Sequence, residues 1–260
     1  MKKGISLILI LVLVFSLAGC SSSQSNSDTS GGTLLVAAAA SLKNCMDGEI
    51  IPLFNEQNPN ITVNATYDSS GKLQTQIEEG ADADVFMSAA MKQMNALDEK
   101  GLITENSIVE LLENKIVLIT PIDGDSSITA FEDILKSEKI AIGDPESVPA
   151  GQYAKEALEN IGIWEQAKEK ASLGTNVTEV LNWVAEGSAD AGIVYATDAA
   201  SNDKVKVVAE APEGSVSKVI YPVGIVKATK NNENAELFTK FLQSEEALKI
   251  FEKYGFSANK

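Results

Sequence analysis

The feature that most constrains the fold of this chain is a regular alternation of β-rich and helical segments beyond residue 32. Apolar or β-branched runs recur at 33–39, 61–67, 83–88, 115–120, 139–143, 190–196, 204–209 and 219–226. The segments between them carry apolar residues three or four positions apart, as in the stretch that begins at Ser41. Such alternation predicts an α/β protein whose mainly parallel sheets are flanked by helices.

The first nineteen residues have the pattern of an export signal, with a basic start at Lys2 and Lys3 before the apolar run "ISLILILVLVFSLA". The run ends in "LAGC", which resembles the lipobox of bacterial lipoproteins, where the signal is cut before the cysteine. That resemblance implies a lipid anchor at Cys20; an ordinary secretory signal or a membrane anchor is the alternative. Residues 20–32 are predicted to be a flexible tether. Eight strands could form one sheet, but an exported chain without a cofactor motif favours two lobes.

Charge and composition exclude several classes of function. The formal net charge is −16, and it becomes −18 when Lys2 and Lys3 leave with the signal. So acidic a chain is not expected to bind nucleic acid, whose phosphates require a cationic surface. The absence of histidine excludes Ser-His-Asp and Cys-His catalysis and the commonest zinc sites. Cys45 has no disulfide partner once Cys20 is lipidated, so we predict a buried core residue there.

Several points where a strand passes to a helix are candidates for an anion site. Ligands of open α/β sheets lie beyond the carboxyl ends of strands, and helix starts offer unpaired N–H groups. The run "VAAAA" has helix propensity, yet we expect it to end a strand. The candidate residues are Ser41 after that run, Ser69 and Ser70 in "YDSSGKL", Ala150 and Gly151 in "VPAGQYAKEAL", Val177 in "GTNVTEVL", and Tyr195 in "GIVYATDA". A lone serine at a helix start is more often a cap, so both roles stay open here.

Neutral N–H and O–H donors favour an anion that carries no proton. Molybdate, tungstate and sulfate are fully deprotonated near neutral pH, whereas hydrogenphosphate keeps a proton and needs an acceptor. Asp68, Asp84 and Asp144 lie close in sequence to the candidate segments, so phosphate is disfavoured and not excluded. Asp82 and Asp84 are better explained by backbone bonds at a strand start than by metal binding. No metal site is therefore predicted, other than the metal of a bound oxyanion.

The motif "AIGDPESVPAGQYAKEAL" at 141–158 resembles the molybdate-binding component of bacterial ABC importers, which is periplasmic or a lipoprotein. "VAAAASL", "ADVFMSA", "GIVYATDA", "VKVVAE", "YPVGIV" and "FEKYGF" are also similar to that family, so the resemblance extends from Thr33 to Phe256. It implies a two-lobed periplasmic-binding-protein fold of type II, with the oxyanion in a cleft between lobes joined by a hinge. We assign lobe 1 to 33–117 and 221–260, and lobe 2 to 118–220.

The resemblance also implies which residues bind the ligand and what the protein does. The implied oxyanion contacts are Ser41, Ser70, Ala150, Val177 and Tyr195, with Ser69 and Gly151 as additional candidates. The protein is then not an enzyme and has no cofactor: it is an extracytoplasmic, lipid-anchored monomer at the cell membrane. It carries molybdate, and tungstate with it, to an ABC transporter permease. The alternatives are a receptor for sulfate or another tetrahedral oxyanion, an extracellular enzyme on a similar scaffold, and a signalling receptor.

Overall fold

The computed structural model describes residues 31–259, so the export signal and the lipidation site Cys20 lie outside the described residues. In chain order the elements are β1 (Gly32–Ala39), α1 (Lys43–Cys45), α2 (Ile51–Gln57), β2 (Ile61–Asp68), α3 (Ser70–Glu78), β3 (Val85–Met87), α4 (Met91–Glu99), β4 (Val109–Asn114), β5 (Ile116–Pro121), β6 (Ile140–Gly143), α5 (Pro149–Asn160), α6 (Trp164–Glu169), β7 (Ala171–Gly174), α7 (Val177–Ala185), β8 (Ala191–Tyr195), α8 (Ala196–Ala200), β9 (Val205–Glu210), β10 (Val219–Ile225), α9 (Asn232–Leu242), α10 (Glu245–Lys253) and β11 (Ser257–Ala258). None of the helices in this part of the chain has the length and hydropathy needed to span a bilayer.

The strands form two sheets, which confirms the prediction of an α/β chain with two lobes. The first sheet has the order β11-β4-β10-β3-β1-β2 and the second has the order β7-β6-β8-β5-β9. The prediction that each sheet is mainly parallel is wrong, because both sheets are mixed. In the first, β1 is parallel to β2 and β3, whereas β10 is antiparallel to β3 and β4. In the second, β6 is parallel to β7 and β8, whereas β5 is antiparallel to β8 and β9.

The antiparallel strands are those that carry the chain between the sheets. β4 ends at Asn114 in the first sheet and β5 begins at Ile116 in the second, so a single residue, Lys115, separates them. The chain returns after β9, and β10 begins in the first sheet at Val219. The predicted lobe boundaries at 117/118 and 220/221 therefore fall inside β5 and β10, because the apolar runs there contain no turn signal. The division of the chain into lobes otherwise stays a prediction.

The alanine run belongs to a central strand, as predicted. β1 pairs with β2 on one side and β3 on the other, and Ala38 and Ala39 are buried. Pairing on both edges therefore prevails over the helix propensity of alanine. The strand ends at Ala39, and a 3-10 turn over Ala40–Leu42 places Ser41 at the start of the next helical segment. That segment buries Cys45 as a free thiol, which confirms its predicted place in the core.

The two lobes contact each other directly. The Gly71 N–H, at the start of α3, donates to the Ser147 carbonyl before α5 at 3.0 Å. A Cβ at Gly71 would lie 2.3 Å from that oxygen, so only glycine permits this approach. Nearby, Gln93 of α4 donates to Gln152 of α5 at 3.1 Å. The lobes thus meet beside the helix starts that the sequence singles out.

One buried carboxyl group is left without a partner on one of its oxygens. Asp198 of α8 is 6% exposed, and no described residue donates a hydrogen bond to its Oδ2. Burial, opposed in part by a hydrogen bond to the backbone of Tyr195, raises the pKa of Asp198 from 3.8 to about 7. Between these two pH values the folded state binds more protons at this group than the unfolded state does. The contribution of Asp198 to the free energy of unfolding therefore falls as the pH rises through this window.

We predict that Asp198→Asn, which keeps the shape and removes the charge, stabilises the protein at about pH 8 and not at about pH 4. The reason is that the asparagine does not need to bind a proton in the folded state. Thermal unfolding of both proteins across this pH range measures the effect, with Asp203→Asn at an exposed position as the control. An equal change in Tm at the two ends of the range would contradict the prediction.

Candidate functional site

The predicted site residues lie where strands of the two sheets end. In the first sheet, β1 leads to the turn that contains Ser41, and β2 leads to α3, which starts at Ser70. In the second sheet, β6 precedes Ala150 in the first turn of α5, and β7 precedes Val177 at the start of α7. Tyr195 is the last residue of β8. Because the strands that precede the site are parallel within each sheet, their carboxyl ends lie at the same edge.

Backbone N–H groups at these helix starts lack protein acceptors. Ser41, Ser70, Ala150 and Val177 are all buried, with 8%, 0%, 0% and 4% of their surface exposed. Within residues 31–259, none of their backbone N–H groups donates to a backbone or side-chain oxygen. Buried helix ends require partners for such groups, and an anion supplies them because it also meets the positive end of each helix dipole.

The hydroxyl groups of the site form a connected set that joins the lobes. Ser70 Oγ accepts the N–H of Ala89 at 3.0 Å, and the Tyr195 hydroxyl donates to the carbonyl oxygen of Ala89 at 3.4 Å. The rings of Tyr195 and Tyr221 pack edge to face with centroids 5.4 Å apart. The Tyr221 hydroxyl in turn lies 2.9 Å from Ser41 Oγ. Residues from the first sheet and from β8 of the second sheet therefore converge around Ala89.

The two remaining helix starts complete the arrangement. The Gly71–Ser147 hydrogen bond brings the first turn of α5, with Ala150, against the first turn of α3. The start of α7, with Val177, packs against the turn that contains Ser41. The structure thus links the elements that carry the five residues implied by the resemblance. Their contact with a ligand stays a prediction.

The two additional candidates have structural roles. Ser69 precedes α3, and its Oγ accepts the Lys72 N–H at 3.4 Å, which makes it the helix cap. Gly151 lets α5 pack closely on β6, because a Cβ there would lie 1.9 Å from the Gly143 carbonyl oxygen. The geometry therefore favours Ser70 over Ser69 as the ligand contact.

The donors that surround the site are electrically neutral. The nearest lysines along the chain form ion pairs on the surface, Lys43 with Asp47 and Lys72 with Asp68. Burial raises the pKa of Tyr195 and of Tyr221 well above the ordinary value of 10. Both phenols consequently keep their protons at neutral pH and can act as donors.

Sequence reasoning missed Tyr221, Asn114 and Ala89, which hold the site hydroxyls in place. Tyr221 lies on β10, 180 positions from the serine that it contacts. Asn114 ends β4, and its Nδ2 donates to the Tyr221 hydroxyl at 3.3 Å. No local pattern marks these residues, and only the motif "YPVGIV" drew attention to the segment that starts at Tyr221. In residues 31–259 there is also no group of three or more His, Cys, Asp or Glu side chains that could hold a metal ion.

Comparison with known proteins agrees with this geometry. The family model for bacterial extracellular solute-binding proteins matches residues 34–257. The Bacillus subtilis protein named "Putative ABC transporter substrate-binding lipoprotein YvgL" is 45% identical over 258 residues and 99% of each chain is covered. The molybdate-binding protein ModA of Haemophilus influenzae is 39% identical over 230 residues, with 86% of this chain and 89% of ModA covered.

A solved structure is also similar to this chain. The substrate binding domain of a putative molybdenum ABC transporter from Clostridium difficile is 42% identical, with a TM-score of 0.68. The match covers 88% of this chain and 99% of that domain. These relatives are solute-binding proteins and not enzymes, which confirms the prediction of a binding protein. The chain belongs to the family of bacterial extracellular solute-binding proteins.

Proposed function

We propose that this protein binds molybdate, and tungstate by the same contacts, between its two lobes and delivers the oxyanion to an ABC transporter permease. The observation that carries the proposal is the set of buried N–H groups at Ser41, Ser70, Ala150 and Val177, which find no acceptor in the described chain. The names of two relatives support the choice of ligand, since one is called molybdate-binding and the other belongs to a molybdenum transporter.

Three carboxylates near the site, those of Asp68, Asp84 and Asp144, are engaged elsewhere, which argues against phosphate. Asp68 accepts the Ser69 N–H at 2.8 Å and pairs with Lys72. Asp84 accepts the Leu35 N–H at 2.7 Å, and Asp144 accepts the Glu146 N–H at 3.1 Å. These contacts hold each carboxylate at its own segment, away from the hydroxyls of the site. None of these three carboxylates is then free to accept the proton of hydrogenphosphate, whereas molybdate brings no proton.

The available donors are sufficient for tight binding despite the acidic composition. A hydrogen bond to a charged group contributes about 1.5–3 kcal/mol. Several of them cover the roughly 8–12 kcal/mol of micromolar to nanomolar affinity after the costs of ordering and desolvation. The formal net charge of −16 opposes this weakly, because charges beyond a Debye length of about 8 Å are screened at physiological salt.

Ligand binding and lobe closure are coupled in this proposal because the two lobes share the site. Ser41 and Ser70 belong to the first sheet, whereas Ala150, Val177 and Tyr195 belong to the second. An oxyanion that accepts hydrogen bonds from both sets stabilises the arrangement in which the lobes touch. The permease then recognises this closed arrangement, and the protein acts as a monomer.

The lipid anchor is part of the same proposal. Cys20 follows the apolar run in the position that the lipobox assigns to the acylated residue, and a relative is named a lipoprotein. A lipid at Cys20, with the tether of residues 20–32, holds the binding domain at the extracytoplasmic face of the cell membrane. It also keeps the ligand near the permease.

Titration calorimetry with molybdate, tungstate, sulfate and phosphate tests the choice of ligand. We expect molybdate and tungstate to bind with micromolar or tighter affinity, and sulfate at least about tenfold more weakly because its smaller tetrahedron cannot reach all the donors. Phosphate is expected to be the weakest because of its proton. Sulfate binding as tight as molybdate binding would favour the alternative of a general or sulfate-specific oxyanion receptor.

Removal of single hydroxyls tests the location of the site. Ser41→Ala and Ser70→Ala should each weaken molybdate binding by about 1–3 kcal/mol, the value of a hydrogen bond to a charged group. Tyr195→Phe should do the same, because in the complex the Tyr195 proton exchanges its long 3.4 Å contact with the Ala89 carbonyl for the oxyanion. Ser69→Ala should instead lower thermal stability by about 1 kcal/mol with little effect on binding, because Ser69 is a helix cap. Tyr254→Phe is the matched control, since that hydroxyl contacts Glu49. Unchanged affinity in all three site variants would place the ligand elsewhere.

The anchor is tested in cells of the source bacterium. Cys20→Ser should abolish incorporation of labelled fatty acid and shift the protein from the membrane fraction to the soluble extracytoplasmic fraction. The binding affinity of the purified domain for molybdate should not change, because the tether makes no part of the site. A Cys20→Ser protein that still incorporates fatty acid would contradict the assignment of the lipidation site.

A further inference from the structure

The direction of the hydrogen bond between Ser41 and Tyr221 decides what Ser41 can offer a ligand. The two oxygens are 2.9 Å apart, and either hydroxyl could donate to the other. If Ser41 donates to Tyr221, it presents only lone pairs to an anion, which repel it. If Ser41 accepts from Tyr221, its own proton is available for the oxyanion.

Asn114 fixes this direction, and its own orientation is fixed by the backbone. The Lys115 N–H donates to Asn114 Oδ1 at 2.8 Å, so the amide nitrogen must point the other way. That nitrogen donates to Thr197 Oγ1 at 2.9 Å and to the Tyr221 oxygen at 3.3 Å. Because an amide nitrogen can only donate, the Tyr221 oxygen is an acceptor in this contact.

The acceptor of the Tyr221 hydroxyl proton is then Ser41 Oγ. Tyr221 is 1% exposed, and Ser41 Oγ lies 2.9 Å from its hydroxyl, whereas burial and the contact with the Tyr221 hydroxyl both raise the pKa of Tyr195, as expected where Tyr195 is the donor. The reverse direction would leave a buried phenol proton without a partner, which costs more than a typical hydrogen bond gains. Tyr221 therefore donates to Ser41, and the Ser41 proton remains free.

We propose, building on the proposed function, that Tyr221 is a positioning residue that turns the Ser41 hydroxyl proton toward the bound oxyanion. The donor relay runs from Asn114 to Tyr221, from Tyr221 to Ser41, and from Ser41 to the ligand. The relay gives specificity among anions, because the Ser41 hydroxyl donates its proton to the ligand and accepts the Tyr221 proton on a lone pair. The relay thus selects deprotonated oxyanions over hydrogenphosphate, whose proton needs an acceptor.

The second serine shows the same arrangement independently. Ser70 Oγ accepts the Ala89 N–H at 3.0 Å, which occupies a lone pair and leaves its proton for the ligand. The relay through Tyr221 lies within the first lobe, and a second bond from Asn114 reaches the other lobe. Asn114 is the last residue of β4 in the first sheet, and Thr197, which also accepts from it, belongs to α8 beside the second sheet.

A double-mutant cycle tests whether Tyr221 acts through Ser41. In the unsubstituted protein, Tyr221→Phe should weaken molybdate binding by about tenfold, because the Ser41 proton is no longer directed. In the Ser41→Ala background the same substitution should change molybdate affinity by less than about twofold, because the Ser41 hydroxyl that Tyr221 orients is absent. Equal losses in the two backgrounds would overturn the relay, since they would show that Tyr221 acts on binding by another route.

Anion selectivity provides a readout that loss of structure alone would not move. Asn114→Asp keeps the shape but turns a donor into an acceptor, so Tyr221 donates to the introduced carboxylate and Ser41 donates to Tyr221. Ser41 then presents lone pairs, and the affinity ratio of hydrogenphosphate to molybdate should rise at least about tenfold at about pH 8. Both ligands are dianions there, so the added charge cancels in the ratio. Tyr254→Phe is the control and should leave the ratio unchanged.

The outcomes separate this inference from the function on which it rests. Absence of molybdate binding by the unsubstituted protein overturns the proposed function and the relay together. Molybdate binding combined with an unchanged phosphate-to-molybdate ratio in both Tyr221→Phe and Asn114→Asp overturns the relay alone. Thermal unfolding of each variant without ligand confirms that the affinities refer to folded protein.

Discussion

The molecule depends on one constraint, which is that backbone N–H groups at four buried helix starts need an acceptor. Water satisfies such groups at an exposed helix end, but Ser41, Ser70, Ala150 and Val177 lie where the two lobes meet. The fold brings these groups together because the strands before them end at a common edge of each sheet. A small anion between the lobes is the simplest way to satisfy all four positions.

Much of the fold and part of the site could be predicted from the sequence, because both depend on local patterns. The alternation of strands and helices and the passage from strand to helix at Ser41 follow from periodicity and capping. The mixed sheets could not be predicted, because the direction of β5 and β10 depends on how the chain crosses between lobes. The role of Tyr221 could not be predicted either, since its partners Ser41 and Asn114 are distant in sequence and no pattern links them.

The proposed function requires so acidic a protein to hold a dianion and release it, and the neutrality of the site explains how. A lysine at the site would add a strong charge interaction that persists when the lobes separate, whereas hydrogen bonds from N–H and O–H groups require short distances. Neither sheet supplies the full set: Ser41 and Ser70 lie on one side, and Ala150, Val177 and Tyr195 on the other. Separation of the lobes therefore removes a large share of the binding energy at once. Under the proposed function, a permease that holds the lobes apart therefore needs no other means of releasing the ligand.

The segment that crosses between the sheets couples release of the ligand to the direction in which the Ser41 hydroxyl donates its proton. Asn114 is next to the single residue that joins β4 to β5, and its amide bonds both to Tyr221 of the first lobe and to Thr197 of the second. Because these two bonds reach residues of different lobes, we expect a change in the angle between the lobes to alter one of them. If the bond to Tyr221 weakens, the Ser41 proton loses its fixed direction as the helix starts of the second lobe withdraw. Under the proposed function, the contacts that enclose the oxyanion and the contact that orients its first donor thus change together.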